Sequence, residues 1–158
     1  MKSVIVYYSY GGNTKEIAEM IHKNTGAEMA EIKTVTPYKG SYNSVVSQGQ
    51  KEVNRDYMPE IIPLEIDINN YDKIFLGTPV WWYTFAPAVK TFLNNNDFNG
   101  KTICPFITNG GWIGHTEDDI KNVCSNADVK KAINIKFNGS DLSTSVSEIN
   151  KWIESNKN

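Results

Sequence analysis

At 158 residues, with 40% hydrophobic and 22% charged side chains, the chain has the make-up of a single folded domain spanning 1–158 and not of a disordered segment. A formal net charge of −2, with Arg55 the only arginine, argues against a basic nucleic-acid-binding surface and against arginine clamps on phosphate. Two cysteines, Cys104 and Cys124, are too few and too far apart for a disulfide framework or a cysteine zinc site. No apolar run reaches the ~18 residues of a membrane span, and residues 1–8 lack the pattern of a signal peptide, so a cytoplasmic location without a membrane partner is expected.

Residues 2–8 read as a first strand. Residues 14–24 place Ile17, Ala18, Met20 and Ile21 on one helical face, and Gly26 is positioned to end that helix. Residues 27–32 are a second strand. The segment 33–70 is long and irregular, with Tyr42, Val45, Val46, Val53 and Tyr57 fitting a helix broken or softened at Gly49, and Pro59 and Pro63 closing it. Residues 72–78 are a buried third strand. Pro87 suits the first turn of the next helix, which turns Val89, Phe92 and Leu93 inward. Residues 101–108 form a fourth strand, in which Pro105 argues against full inner pairing. Thr116 before Glu117, Asp118 and Asp119 predicts a capped helix start. Residues 132–137 are a fifth strand. Ser145 and Glu148 make a capping box for a last helix burying Val146, Ile149, Trp152 and Ile153. Five strands alternating with helices predict an α/β fold with a doubly wound five-stranded parallel sheet.

Ligands of such sheets lie beyond the carboxyl ends of the strands, which directs attention to loops 9–14, 78–86 and 108–115. In the first, an apolar strand ends in Ser9-Tyr10-Gly11-Gly12-Asn13-Thr14 and a helix begins. Backbone N–H groups and the helix dipole at such a junction favour an anion, and the Ser9, Asn13 and Thr14 side chains can add donors. The second reads Thr78-Pro79-Val80-Trp81-Trp82-Tyr83 and the third Thr108-Asn109-Gly110-Gly111-Trp112-Ile113-Gly114-His115, so three of four tryptophans sit at strand ends. Exposed aromatics beside an anion pocket suit a flat heterocycle carrying a phosphate. Trp82 or Tyr83 is expected to stack on that ring, and Trp81 to join the core. Neither a GxxxxGK[ST] nor a GxGxxG loop follows the first strand, and no acidic pair ends it. The helical spacing and chain positions of His22 and Cys104 suit a surface histidine and a buried small hydrophobe.

Ser9-x-x-Gly12-Asn13-Thr14 resembles the phosphate loop of flavodoxins, and the segments from Thr78 and from Thr108 resemble the second and third loops of a short-chain flavodoxin-like group with an aromatic second loop. The resemblance implies strand order 2-1-3-4-5 and non-covalent FMN. It assigns Ser9, Tyr10, Gly11, Gly12, Asn13 and Thr14 to the phosphate. Thr78, Pro79, Val80, Trp81, Trp82 and Tyr83 would flank ribityl and ring, and Asn109, Gly110, Gly111 and Gly114 would meet the pyrimidine side. It further implies an electron-transfer protein with redox partner proteins, or alternatively an NAD(P)H-dependent FMN or quinone oxidoreductase. Tyr83 stands where this group commonly has glycine, and Trp112 where it has small residues. With no lysine or arginine in 78–86 or 108–115, a low-potential carrier is expected.

Overall fold

The computed structural model describes residues 1–157. In chain order its elements are β1 (Ser3–Tyr7), α1 (Asn13–Thr25), β2 (Glu28–Glu31), α2 (Tyr42–Asn54), a single 3-10 turn (Ile68–Asn70), β3 (Lys73–Trp81), β4 (Thr84–Phe85), α3 (Pro87–Asn95), β5 (Thr102–Asn109), α4 (Thr116–Val123), β6 (Asp128–Val129), β7 (Ile133–Asn138), β8 (Asp141–Leu142) and α5 (Val146–Asn156). The long strands are all parallel and ordered β2-β1-β3-β5-β7, which is 2-1-3-4-5 when only these five are counted. Three short strands extend the sheet. β4 and β8 turn back antiparallel on β3 and β7, and β6 pairs parallel with the start of β5.

The sheet is central because its inner strands are apolar on both faces. Val4, Val6, Ile74, Leu76 and Ile103 meet Val89, Phe92 and Leu93 of α3 and Ile120 of α4. Ile5, Tyr7, Phe75, Cys104 and Phe106 meet Ile17, Ala18 and Ile21 of α1 and Ile149 and Ile153 of α5. Successive side chains of one strand therefore feed opposite layers, as a pleated backbone requires. Between β3 and β5 the sheet is tight: a Cβ on Gly77 would lie 2.3 Å from Phe106 Cζ and 2.9 Å from Tyr7 Cβ. Only hydrogen fits there.

Pro105 sits in an inner strand after all, opposite Leu76 in the β3 ladder. On its other side β6 pairs only with Thr102 and Ile103, and β7 begins at Phe106. Pro105 thus falls where one neighbour ends and the next starts, so the missing N–H breaks no ladder on that side. Several local expectations need correction. α2 runs unbroken through Gly49. The residue capping α4 is His115, not Thr116, whose hydroxyl instead donates to Ile113 O at 2.6 Å. Val146 is half exposed, while Ser145 does cap α5 by accepting from Glu148 N at 3.1 Å. Trp152 is only partly buried, edge-on to Phe75 and Phe106, with its N–H donated to Lys131 O at 3.2 Å. His22 is exposed as expected, and Cys104 is fully buried. Among the described residues no helix is long and apolar enough to cross a membrane.

Candidate functional site

β1 ends at Tyr7 and α1 starts at Asn13, so residues 9–12 must reverse the chain within a few residues. Gly11 and Gly12 do this with φ of 88° and 100°. A side chain at either would meet nothing within 4 Å, so conformation and not space demands glycine. Ser9 Oγ accepts from Lys15 N at 3.1 Å, and Asn13 Nδ2 donates to Gly139 O at 2.9 Å. Thr14 is buried, its hydroxyl hydrogen-bonded to that of Thr108 at 2.8 Å, which ties the loop to the tip of β5. Two of the three side chains expected to add donors therefore shape the loop, and Thr14 fastens it down. What remains to meet an anion is the main chain: the N–H groups of Tyr10 through Thr14 find no acceptor among the described residues. Five amides at a helix start form a ready anion cradle.

The second loop is a tight hairpin. β3 continues to Trp81, and Trp81 pairs with Thr84 across a two-residue turn made of Trp82 and Tyr83. Both turn residues have positive φ, 52° and 72°, as a type I′ turn requires and as bulky side chains resist. Contacts on each flank hold the strained turn. Trp82 Nε1 donates to Val46 O of α2 at 2.9 Å, and Tyr83 O accepts from His115 N at 2.8 Å. Trp81 points into the α2 layer, edge-on to Tyr8, Tyr10 and Tyr38, and is only partly buried at the margin of the core it was expected to join. At the base, Thr78 is buried and accepts from Ala86 N at 3.1 Å, and Pro79 and Val80 are partly buried on the strand between.

The third loop leaves β5 at Asn109, whose side chain is fixed at both ends: Nδ2 donates to Asn134 Oδ1 at 2.6 Å and Oδ1 accepts from Gly111 N at 2.9 Å. Gly110 and Gly111 lie open to solvent. Gly114 has φ 59°, and a Cβ there would fall 2.4 Å from Tyr83 O. The second and third loops thus approach most closely at Gly114, where the lack of a side chain lets the main chains meet. Thr84 Oγ1 donates to Asp119 Oδ2 at 2.5 Å, and the same oxygen meets His115 Nδ1. Tyr83 and Trp112, half or more exposed, stand 5.2 Å apart with their rings tilted by 55°.

A ligand with a phosphate at one end and a flat ring at the other fits these loops: open amides at the β1 tip, exposed aromatic faces at the tips of β3 and β5. A model for the family described as flavodoxin matches residues 2–156. The chain belongs to the flavodoxin family. It is 26% identical to a putative flavoprotein from Bacteroides eggerthii, covering 98% of this chain and 96% of that one with a TM-score of 0.82. It is likewise 26% identical to a flavoprotein from Lactobacillus acidophilus solved in complex with FMN, covering 96% and 97% with a TM-score of 0.76. A curated relative, the uncharacterized NAD(P)H oxidoreductase YcaK of Escherichia coli, is 25% identical over 84% of this chain and 83% of its own length.

Within this flavodoxin framework the residues singled out in the sequence gather at one end of the sheet, but not as equals. Tyr83, Trp112 and the amides of 10–14 are open, whereas Trp81 and Thr78 are structural. Thr108, Asp119, Asn134, Gly139 and Val46 support the loops, a role that the sequence did not reveal for any of them. Their contacts are long in sequence and carry no local motif. Asp119 in particular reads as an ordinary first-turn acid. Neither cysteine is poised for redox work: burial pushes both thiols up to about 11.

Proposed function

We propose that this chain binds FMN and works as a low-potential electron-transfer protein. The observation that carries the reading is the row of five unpaired amides, Tyr10 to Thr14, at the start of α1, beside a hairpin and a loop that present exposed aromatics. When bound, FMN supplies one- and two-electron redox chemistry at its ring. The chain's own residues bind and tune. The amides of 10–14 hold the phosphate without arginine, Gly11 and Gly12 give the main chain the turn it needs, and Thr14 anchors the cradle to β5. Tyr83 and Trp112 cover ring faces, with Trp82 fixing the hairpin on α2 in place of the stacking role its sequence position suggests. Gly110 offers its main chain to the ring edge, while the Asn109 side chain, engaged with Asn134 and Gly111, holds the loop in shape.

Loops 78–86 and 108–115 contain no lysine or arginine, and the acids Glu117, Asp118 and Asp119 follow directly. An electron-rich reduced ring gains no cationic partner there, so reduction is disfavoured. Reductive titration of the FMN-loaded protein is expected to give a potential below that of free FMN; a value equal to or above it overturns the carrier reading. YcaK supports a second reading, an NAD(P)H-dependent oxidoreductase. Steady-state NADPH and NADH oxidation decides between them: turnover above ~1 s⁻¹ favours the enzyme, and slower turnover the carrier. Unidentified redox proteins are the expected donor and acceptor of a carrier.

A further inference from the structure

The sheet ends on one side at β2, which pairs with β1 alone. Ile32 N donates to Tyr7 O, so in the alternation of a strand the main-chain groups of residues 28, 30 and 32 face β1 and those of Met29 and Glu31 face outward. The chain begins to cover that edge and then stops. Thr34 bridges Ile61 antiparallel, with Ile62 N donating to Lys33 O and Val35 N to Glu60 O. The same register would carry Leu64 to Glu31 and Ile66 to Met29, but among the described residues neither pairing forms. Residues 62–66 instead stand off the strand, and an open cleft of about 490 Å³ separates the two. The outward N–H and C=O groups of Met29 and Glu31 have no partner among the described residues. The opposite edge is treated differently. There Asp141 and Leu142 turn back on β7, and Thr144 engages both the N–H and the C=O of Lys136.

An unpaired edge is a template for another strand, and proteins guard such edges with charge. Here the guard is mostly of one sign. Glu28, Glu31 and Glu65 line the cleft against Lys33 alone, and Lys33 forms no ion pair among the described residues. Two of the carboxylates are fixed in place: Tyr71 OH donates to Glu28 Oε1 at 3.1 Å and Tyr7 OH to Glu31 Oε1 at 3.2 Å. Three residues apart, they stand on opposite faces of the strand. Leu64 and Ile66, partly buried against the core, make the far wall apolar. A second copy of this edge would set carboxylates against carboxylates, so like charge disfavours self-pairing. We propose that the β2 edge docks an extended segment of a partner protein that carries lysine or arginine three residues apart and joins the sheet as a new strand. Its main chain pairs with Met29 and Glu31, its basic side chains meet Glu28 and Glu31 on the two faces, and apolar residues beside them pack toward Leu64 and Ile66. No residue of this edge belongs to loops 9–14, 78–86 or 108–115, so docking leaves those loops open and does not depend on the flavin function proposed above.

The test is amide-resolved NMR titration of the protein, with and without FMN, using the end-capped synthetic peptide Thr-Lys-Val-Thr-Lys-Val-Thr. The expected result is saturable shifts concentrated in residues 28–33 and 62–66, slowed hydrogen exchange at the Met29 and Glu31 amides, and the same affinity in both preparations. Glutamate in place of both peptide lysines should weaken binding about tenfold or more. The Glu28→Gln, Glu31→Gln double variant, which keeps both tyrosine contacts, should weaken it about fivefold, the scale of two exposed ion pairs. Two further peptides are N-methylated at odd or at even residues, so that each has one blocked edge and the protein itself is unchanged. One of the pair should lose binding and the other keep it. Absence of saturable binding overturns the proposal, as do shifts scattered outside the edge, equal binding of the glutamate peptide, an unchanged affinity of the double variant, or equal binding of the two methylated peptides. A protein that sediments as a dimer with Met29 and Glu31 already protected gives the edge to a second copy and overturns it too. Should FMN itself fail to bind, the visible spectrum registers it, while the titration without FMN still reads the edge.

Discussion

Trp82 and Tyr83 are the residues held most against their own preferences. A type I′ turn favours asparagine and glycine, and each non-glycine residue at positive φ costs on the order of 1–3 kcal/mol. Here an indole and a phenol occupy φ of 52° and 72°. Strain persists where surrounding contacts over-determine it, and Val46 O, His115 N and the closely packed Gly114 provide those contacts. Tyr83→Gly is therefore expected to stabilise the protein without cofactor by about 1 kcal/mol, seen as a melting temperature ~2–4 °C higher. The same change removes a ring face, so FMN affinity measured by fluorescence titration should fall. A loss of stability together with unchanged affinity would assign Tyr83 a packing role instead. The sequence showed an aromatic loop but not this strain, because nothing local distinguishes a strand that stops at residue 78 from one that runs to Trp81 and folds back.

At the level of elements, periodicity revealed most of the architecture. The apolar runs of β1, β3 and β5 and the 3.6-residue stripes of α1, α3 and α5 are local signals, and their alternation suffices for a parallel doubly wound sheet. What escaped was non-local. Two-residue strands such as β4, β6 and β8 are made by partners, not by propensity. α2 stays whole through Gly49 because Trp81 rewards the close approach. Likewise Pro105 survives in the sheet interior because β6 ends before it and β7 starts after it. The sheet's least forgiving point is Gly77 between Phe106 and Tyr7. A methyl group there meets ring atoms with no room to retreat. Gly77→Ala is expected to cost at least about 2 kcal/mol through overpacking, read as a lower urea midpoint with an unchanged m-value.

For the whole molecule, the loops of the candidate site belong to different strands, yet they are cross-linked to one another by Thr14–Thr108 and Tyr83–His115, and Asn13–Gly139 ties the first to the turn between β7 and β8. A ligand gripping all three stabilises only the folded arrangement. At FMN a hundredfold above its dissociation constant, linkage gives about 2.7 kcal/mol, and the melting temperature should rise by roughly 5–10 °C. Riboflavin, which lacks the phosphate that the amides of 10–14 are placed to hold, is expected to produce a clearly smaller rise. Equal shifts would show that the cradle at α1 contributes nothing. The hydroxyl bridge from Thr14 to Thr108 reaches across 94 positions in the chain. During synthesis on the ribosome the first third of the protein therefore emerges with its anion cradle unfastened, and a nascent chain can take up its cofactor only once β5 has cleared the exit tunnel and docked, so loading is a late event in the life of each new molecule.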